Sequence, residues 1–427
     1  MVKKTDCFMI YDKKIFWGWY IVAGAFFVMA ANYGARYCFG VFVAPLSLEH
    51  GWSRSVISMA ATINMLVYSV CAIFVGRMLD RIAPRWIMTA GAVIAAAGFI
   101  LTGFANTPFA LYLSYGFLVG VGASGMGIIA CSSSIGKWFI KKRGIAIGIA
   151  TMGISFGTML LTPLAAYIDK YFSWRGGFFM LAIVVLVAGI LISQALMRKT
   201  QPEAYGLLPD GEKMFLTSQP QQDLSANNQI SSLTFFRDAR FWTLAVCHGL
   251  IVMVVMSVFV HQVPYALDKG IDKIVAASSL SVVFLAGFFG QFFFGWLSDR
   301  LQDPKYAYFW GVIFLLGGML FLFTADSVGH LYLFAILYGF GYGSLAPILP
   351  IIAAQRFGRR VLGAIYGLLT FFIGFGGSIG PVLGGLIYDR FGSYKYLWII
   401  NIIVLAATSL VILTLKKGEQ YELSPHN

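Results

Sequence analysis

The amino-acid sequence predicts an all-α integral membrane protein with twelve transmembrane helices in two pseudo-symmetric six-helix halves. The chain of 427 residues is 59% hydrophobic and only 11% charged, which excludes a water-soluble globular fold. Charge-poor apolar runs of about 20 residues indicate spanning helices, because a helix satisfies its own backbone groups in hydrocarbon. Twelve such runs are present, at 17–45, 55–78, 86–105, 108–136, 144–168, 176–197, 241–265, 274–297, 306–325, 330–354, 361–388 and 395–415.

An internal repeat supports the division into two halves. Glycine and charged positions of the first half recur 219 residues later, and the matched pairs are Gly76/Gly295, Asp80/Asp299, Arg81/Arg300, Gly120/Gly339, Gly122/Gly341, Gly144/Gly363, Gly148/Gly367 and Gly157/Gly376. The chain is therefore interpreted as two copies of one membrane unit. The expected segments are a cytoplasmic tail 1–16, an N-terminal half 17–197, a cytoplasmic linker 198–240, a C-terminal half 241–415 and a cytoplasmic tail 416–427.

The basic residues orient the chain in the bilayer. The formal net charge is +13, but 23 of the 31 lysines and arginines fall in the tails and in alternate loops, and seven on the opposite side. Such an asymmetry marks the cytoplasmic face. We expect a multi-pass protein of the cell inner (plasma) membrane with both termini cytoplasmic, whose charge faces lipid and not nucleic acid.

Several classes of protein lack support in the sequence. There is no P-loop for ATP-driven transport, no Cys/His cluster for a metal, and the five cysteines show no disulfide framework. A receptor would need a signalling domain and a membrane enzyme would need a buried nucleophile, and we find neither in the sequence. The sequence predicts neither a cofactor nor a metal.

Arg36 is the one full charge that the sequence places within a span. An arginine at membrane depth is costly unless it faces water, a partner or a ligand, so it marks a candidate site, together with its neighbours Asn32 and Tyr37. The alternative is that Arg36 lies near the surface and snorkels. Since no Asp or Glu falls in the middle of a span, a cavity containing Arg36 favours an anion.

Other polar side chains within the spans complete the candidate site. They either line a polar path or bond a neighbouring helix. The candidate substrate-binding residues are Asn64, Tyr68, Gln291, Tyr338, Tyr342 and Tyr366. Two histidines of the seventh span, His248 and His261, are candidates for proton coupling or, alternatively, neutral helix-bonding groups.

Two related loops predict a conformational lock. GRMLDR at 76–81 and GWLSDR at 295–300 each place an aspartate among basic residues, which can hold one conformation and release in another. The alternative is a plain basic loop. The candidate lock residues are Asp80, Arg81, Arg143, Asp299 and Arg300.

These motifs resemble the major facilitator superfamily over nearly the whole chain. Within it, WFIKKRGIAIGIATMGISFG (138–157), Gly18-Trp19 and PEAYGLLPDG (202–211) are similar to the monocarboxylate-transporter-like and oxalate/formate-antiporter-like branch. The usual acidic residue of the helix-1 signature is absent. The resemblance implies the major facilitator fold, a central cavity between the halves and alternating access by rocking.

The resemblance transfers site residues only in part. The helix-1 lysine of monocarboxylate transporters falls at Tyr37, and a helix-10 aromatic that limits substrate size matches Tyr342. The helix-8 aspartate and carboxylate-binding arginine fall at Gly287 and Gln291. Either Arg36 replaces that arginine, or the substrate is not a simple monocarboxylate.

The expected function is secondary transport of a small organic anion. A mono- or dicarboxylate would be carried by alternating access, with protons or by anion exchange, and the chain is expected to act as a monomer. The alternative is efflux of a neutral or amphipathic small molecule.

Overall fold

A computed structural model of the chain describes residues 16–79, 81–198, 202–205, 207–211, 236–358 and 362–416. Within these ranges, twelve helices are long and apolar enough to cross a membrane. This confirms the all-α, twelve-span prediction. The spans are α1 (Trp17–Val43), α2 (Val56–Met78), α3 (Pro84–Gly103), α4 (Pro108–Trp138), α5 (Arg143–Tyr171), α6 (Trp174–Leu196), α7 (Ala239–Asp268), α8 (Ser278–Arg300), α9 (Pro304–Phe323), α10 (Val328–Phe357), α11 (Leu362–Phe391) and α12 (Lys395–Leu413).

Several spans depart from a regular α-helix. The first is interrupted at Cys38 and continues as a helix over Phe39–His50. Spans α4 and α10 are each interrupted at a similar point of the repeat, α4 at Met126 and α10 at Gly343. Segments of π-helix occupy Tyr112–Val119 in α4 and Val187–Ile192 in α6. Between α6 and α7, short 3₁₀ turns lie at Glu203–Tyr205 and Pro209–Gly211.

The same offset of 219 relates packing contacts in the two halves. In the N-terminal half, α5 approaches α1 so closely that a side chain at Gly157 would collide with the backbone of Ala30. In the C-terminal half, α11 approaches α7 in the same way, and a side chain at Gly376 would collide with the backbone of Gly249. Small residues permit such close backbone approach between membrane helices. The repeat therefore encodes equivalent helix pairs.

The halves pack against each other at the end of the bundle that carries Met78, Arg143 and residues 202–211, here called the linker side. Gly144 on α5 lies against Gly295 on α8, and Gly76 on α2 lies against Gly363 on α11. The offset of 219 residues maps Gly144 onto Gly363 and Gly76 onto Gly295, so the internal repeat relates the two contacts. Farther from the linker side on α11, side chains added at Gly380 and Gly384 would first meet atoms of the C-terminal half itself. The halves are thus joined by backbone-close contacts on the linker side.

Candidate substrate cavity

A cavity of about 330 Å³ lies between the two halves. Its volume is at the lower end of the range for small-molecule sites. The wall formed by the N-terminal half, here called the N-terminal wall, carries polar and aromatic side chains from α1, α2 and α4. These are Tyr33, Arg36, Tyr37, Asn64, Tyr68, Ser69 and Tyr115. Its C-terminal wall is mainly apolar, with Val252, Val255, Met256, Leu345, Ala346, Leu349 and Ile373 beside the polar His248, Tyr342, Tyr366 and Thr370.

Arg36 is held from one edge by a closed set of hydrogen bonds. Arg36 Nε donates to Asn64 Oδ1 at 2.9 Å, and Asn64 Nδ2 donates to the carbonyl oxygen of Tyr115 at 2.9 Å. The Tyr115 hydroxyl in turn donates to the carbonyl oxygen of Arg36 at 2.9 Å. Because the amide of Asn64 is bonded at both ends, its oxygen is fixed toward the guanidinium. Three spans therefore cooperate to position one cation.

The other edge of the Arg36 guanidinium is available to a ligand. Its Nη atoms have no hydrogen-bond acceptor among the described residues, and the group lies 4.4 Å from the centroid of the Tyr68 ring. The hydroxyls of Tyr33 and Tyr68 are bonded to each other at 3.0 Å. Arginine presents parallel N–H groups that match a carboxylate bidentately. Arg36 is the one lysine, arginine or acidic side chain among the lining residues, so this cavity is chemically suited to a single anionic group.

The C-terminal wall offers hydrogen-bonding groups but no fixed charge. His248, 5% exposed, is hydrogen-bonded through Nδ1 to the hydroxyl of Tyr308 on α9, which leaves its Nε2 edge for the cavity. The Tyr342 ring packs edge-on against Phe259 at 5.3 Å between centroids. Thr370 already donates to the carbonyl oxygen of Tyr366. The polar groups that remain on this wall can form hydrogen bonds that orient a ligand, but they cannot balance the charge of an anion.

Four candidate residues do not line the cavity, and their own hydrogen bonds or packing explain why. Asn32 Nδ2 donates to the carbonyl oxygen of Ala123 at 3.1 Å, so it joins α1 to α4. Tyr338 is fully buried against Gly318 and Phe334. In this structure both side chains therefore contact other helices and not the cavity.

The other two candidates outside the cavity, Gln291 and His261, lie in contacts between helices. Gln291 is fully buried and accepts a 3.4 Å hydrogen bond from Ser155 of the opposite half, so it belongs to the contact between α5 and α8. His261 is held between the carbonyl oxygen of Pro381 at 2.9 Å and the hydroxyl of Tyr394 at 3.3 Å. Of the two histidines, His248 is the one at the cavity.

Among the predicted lock residues, Asp299 is the one that bonds across the contact between the halves in the part of the chain that the structure describes. Asp299 accepts hydrogen bonds from the backbone amides of Gly144 at 2.7 Å and Ile145 at 2.8 Å, across the contact between the halves. Arg143 Nε donates to the carbonyl oxygen of Phe139 in its own turn. Arg300 lies over the Trp296 ring, Arg81 is exposed, and Asp80 lies outside the described residues. A carboxylate on backbone amides at a helix N-terminus joins the halves here.

Tyr33 and Tyr115 are cavity residues that sequence reasoning missed. Tyr33 lies three positions before Arg36, on the same helical face, and this spacing was a usable signal. Tyr115 lies in the π-helical part of α4, where ordinary helical spacing does not apply.

Sequence comparison agrees with the fold. The model of the Major Facilitator Superfamily matches residues 25–303 and 257–426. Monocarboxylate transporter 12-B of Danio rerio is 26% identical over 414 residues, covering 93% of this chain and 86% of the relative. Monocarboxylate transporter 13 of Rattus norvegicus is 28% identical over 407 residues, covering 93% and 89%. Monocarboxylate transporter 2 of Homo sapiens is 25% identical over 415 residues, covering 93% and 85%.

Solved structures share the architecture. The proton:xylose symporter XylE bound to 6-bromo-6-deoxy-D-glucose aligns with a TM-score of 0.76 at 15% identity, covering 94% of this chain and 96% of that one. The transporter FucP in the outward conformation aligns with a TM-score of 0.69 at 14% identity, covering 94% and 99%. The twelve spans, the internal repeat and the matched family model together show that this chain is a transporter that belongs to the Major Facilitator Superfamily.

Proposed function

We propose that this transporter carries a small organic anion, a mono- or dicarboxylate, which Arg36 binds in the cavity between the halves. The observation that carries the proposal is the free Nη edge of Arg36, set in a cavity whose lining holds no other fixed charge. A cation in a low-dielectric site attracts an anion strongly. The names of the similar monocarboxylate transporters support the same class of substrate.

The cycle follows from alternating access. Rocking of the two halves about the cavity exposes the substrate site alternately on the linker side and on the opposite side of the membrane. Coupling takes one of two forms, proton symport or anion exchange. For proton symport, His248 is our candidate carrier, since its ring lines the cavity while His261 is bonded within the C-terminal half.

A ligand-binding assay on the purified protein tests the proposal. Each member of a panel of short mono- and dicarboxylates is paired with its uncharged primary amide, and the shift in thermal unfolding is measured. A ligand stabilises the folded state by mass action. We expect stabilisation by at least one carboxylate and not by its amide, loss of the shift in Arg36→Gln, and partial retention in Arg36→Lys.

Arg390→Gln is the matched control, because Arg390 is an exposed arginine at the end of α11 and outside the cavity. It removes the same charge and should leave the carboxylate shift intact. Equal stabilisation of wild type and Arg36→Gln by every carboxylate would contradict an anion site at Arg36.

The apolar C-terminal wall favours a second candidate function, efflux of a neutral or amphipathic molecule. Seven apolar side chains of this half line the cavity. In this case Arg36 is structural, the amide and carboxylate of a pair bind equally, and Arg36→Gln transports normally. The same panel therefore separates the two functions.

The placement of the protein in the cell is also part of the proposal. We place it in the inner (plasma) membrane as a monomer, with the linker side cytoplasmic and with the segments 1–16, 17–197, 198–240, 241–415 and 416–427 in their expected roles. The excess of basic residues on that side supports the orientation.

A further inference from the structure

Asp210, in the linker, binds the backbone of the turn between α4 and α5. Its Oδ2 accepts from the amides of Ile140 at 3.0 Å and Lys141 at 2.8 Å, and its Oδ1 accepts from the amide of Lys142 at 3.2 Å. The residue has a φ of 62°, in the left-handed region that aspartate tolerates better than most side chains. The backbone of PDG (209–211) is thus shaped so that one carboxylate covers three amides.

Asp299 of the C-terminal half binds two further amides just beyond Arg143, at the start of α5. Its two oxygens accept from Gly144 and Ile145, the first residues of α5 after Arg143. These amides have no partner within the helix, because the first turn of a helix leaves its donors unbonded. Two carboxylates, one from the linker and one from the opposite half, therefore bind five amides between residues 140 and 145, on either side of Arg143.

The two contacts differ in what happens when the halves separate. The two hydrogen bonds that Asp299 accepts cross the contact between the halves, so they break when the linker side opens. Asp210 follows α6 of the N-terminal half in the chain, so its bonds stay within one half and its attached linker.

We propose that Asp210 is a positioning residue for gating. By fixing the turn at 140–142, it presents the amides of Gly144 and Ile145 to Asp299 and so favours the state closed on the linker side. Without Asp210, the turn must be ordered each time the halves close, and that entropy cost disfavours closure. The proposal concerns the conformational equilibrium and does not depend on which substrate Arg36 binds.

Mutual repulsion of the two carboxylates acts in the opposite direction. If repulsion dominated, neutralising Asp210 would favour closure, so the sign of the effect distinguishes the two mechanisms. Asp210→Asn is the first variant, since asparagine also tolerates a positive φ. Asp210→Gly is the second, since it removes every side-chain acceptor without backbone strain.

Amide hydrogen exchange of the full chain in nanodiscs, without substrate, is the measurement. The informative peptides contain Gly76 and Gly363, where α2 and α11 join the halves away from the bonds of Asp210 to residues 140–142. We expect roughly fivefold or faster exchange there in both variants, the lower range of typical coupling between sites. Asp299→Asn should do the same. Glu203→Gln, in an exposed part of the same linker segment, is the matched control and should match wild type.

Two results would overturn the proposal. Exchange that changes only around residues 140–142 and 202–211 would make Asp210 a local cap without influence on the halves. Slower exchange at Gly76 and Gly363 in Asp210→Asn would show that repulsion between the carboxylates dominates.

Discussion

Arg36 and Asn64 are joined by one 2.9 Å hydrogen bond from the guanidinium Nε to the amide Oδ1, and this bond decides which edge of the cation faces the cavity. Asn64 is 2% exposed, so it supplies the bond from inside the helix bundle. The bond uses the inner N–H and leaves the two Nη groups, which are the pair suited to a carboxylate.

The charge at position 64 is expected to control anion binding. Asn64→Asp places an anion against Arg36 at the distance of the existing hydrogen bond, so the cavity loses its net positive charge. We expect carboxylate affinity to fall about tenfold or more, since a charge pair near 4 Å is worth several kcal/mol at an effective dielectric of about 20. Isothermal titration of the purified protein measures it.

Asn64→Leu is the matched control for this variant. It removes the hydrogen bond without adding a charge, so it should weaken binding less than Asn64→Asp. If both variants bind carboxylates as wild type does, Arg36 does not hold the substrate.

In the proton-symport form of the cycle, coupling of transport to protons is expected to require His248, which lines the cavity. In His248→Gln, uptake into proteoliposomes should lose its dependence on an imposed proton gradient while exchange of labelled for unlabelled substrate continues. Glutamine keeps hydrogen-bonding capacity near Tyr308 but carries no proton. His261→Gln is the control and should keep the pH profile of wild type, since His261 is bonded to Pro381 and Tyr394. An unchanged profile in His248→Gln would favour anion exchange or a proton carried by the substrate.

Closure on the linker side is expected to depend on Gly295. A methyl group there would lie 2.5 Å from the carbonyl oxygen of Gly144 and 2.8 Å from the Cα of Gly148, closer than real side-chain carbons approach. Gly295→Ala should therefore destabilise this state by about 1–3 kcal/mol, the usual cost of overpacking. The readout is faster amide exchange in the peptide around Gly363.

Gly317→Ala is the matched control for Gly295→Ala. Both are glycine-to-alanine changes within a span, but a methyl group at Gly317 meets nothing within 4 Å. It should leave exchange near Gly363 unchanged. Equal behaviour of the two variants would show that the Gly144–Gly295 contact does not limit closure.

On the side opposite the linker, Glu49 is expected to stabilise the fold in a pH-dependent manner. Hydrogen bonds from Arg175 at 2.7 Å and Trp174 at 2.6 Å lower the pKa of the Glu49 carboxyl from 4.5 to about 2. Because the pKa is depressed in the folded state, the stabilisation is complete above about pH 4.5 and is lost as the pH falls toward 2. The salt bridge is 35–42% exposed, so solvent screening keeps its contribution modest.

The measurement is the melting-temperature difference between wild type and Glu49→Gln from pH 7 to pH 3. It should be constant above about pH 4.5 and shrink below it. The same comparison with Glu203→Gln should show no change with pH, because Glu203 is exposed and forms no ion pair with a described residue. A difference for Glu49→Gln that does not change down to pH 3 would argue that its charge is not what stabilises the contact.

The sequence alone determined the membrane class, the number of spans, the repeat and the candidate cation. These follow from local properties: hydrocarbon requires about 20 apolar residues per helix, and a duplicated unit keeps its close-packing glycines at one offset. Arg36 could be singled out because a charge within an apolar run is visible without knowing its neighbours. Asn64 and Tyr68 lie four residues apart, so the sequence alone puts them on one face of their helix.

Only the tertiary structure decided which polar side chains meet. His248 and His261 lie on one helix, yet the first faces the cavity and the second bonds within its own half. Gln291, Asn32 and Asn64 are all amide side chains within apolar spans, yet only Asn64 lines the cavity. Membrane helices are apolar on lipid-facing and protein-facing sides alike, so the hydrophobic pattern does not tell which face of a helix is turned inward. That choice is made by the packing of the other spans.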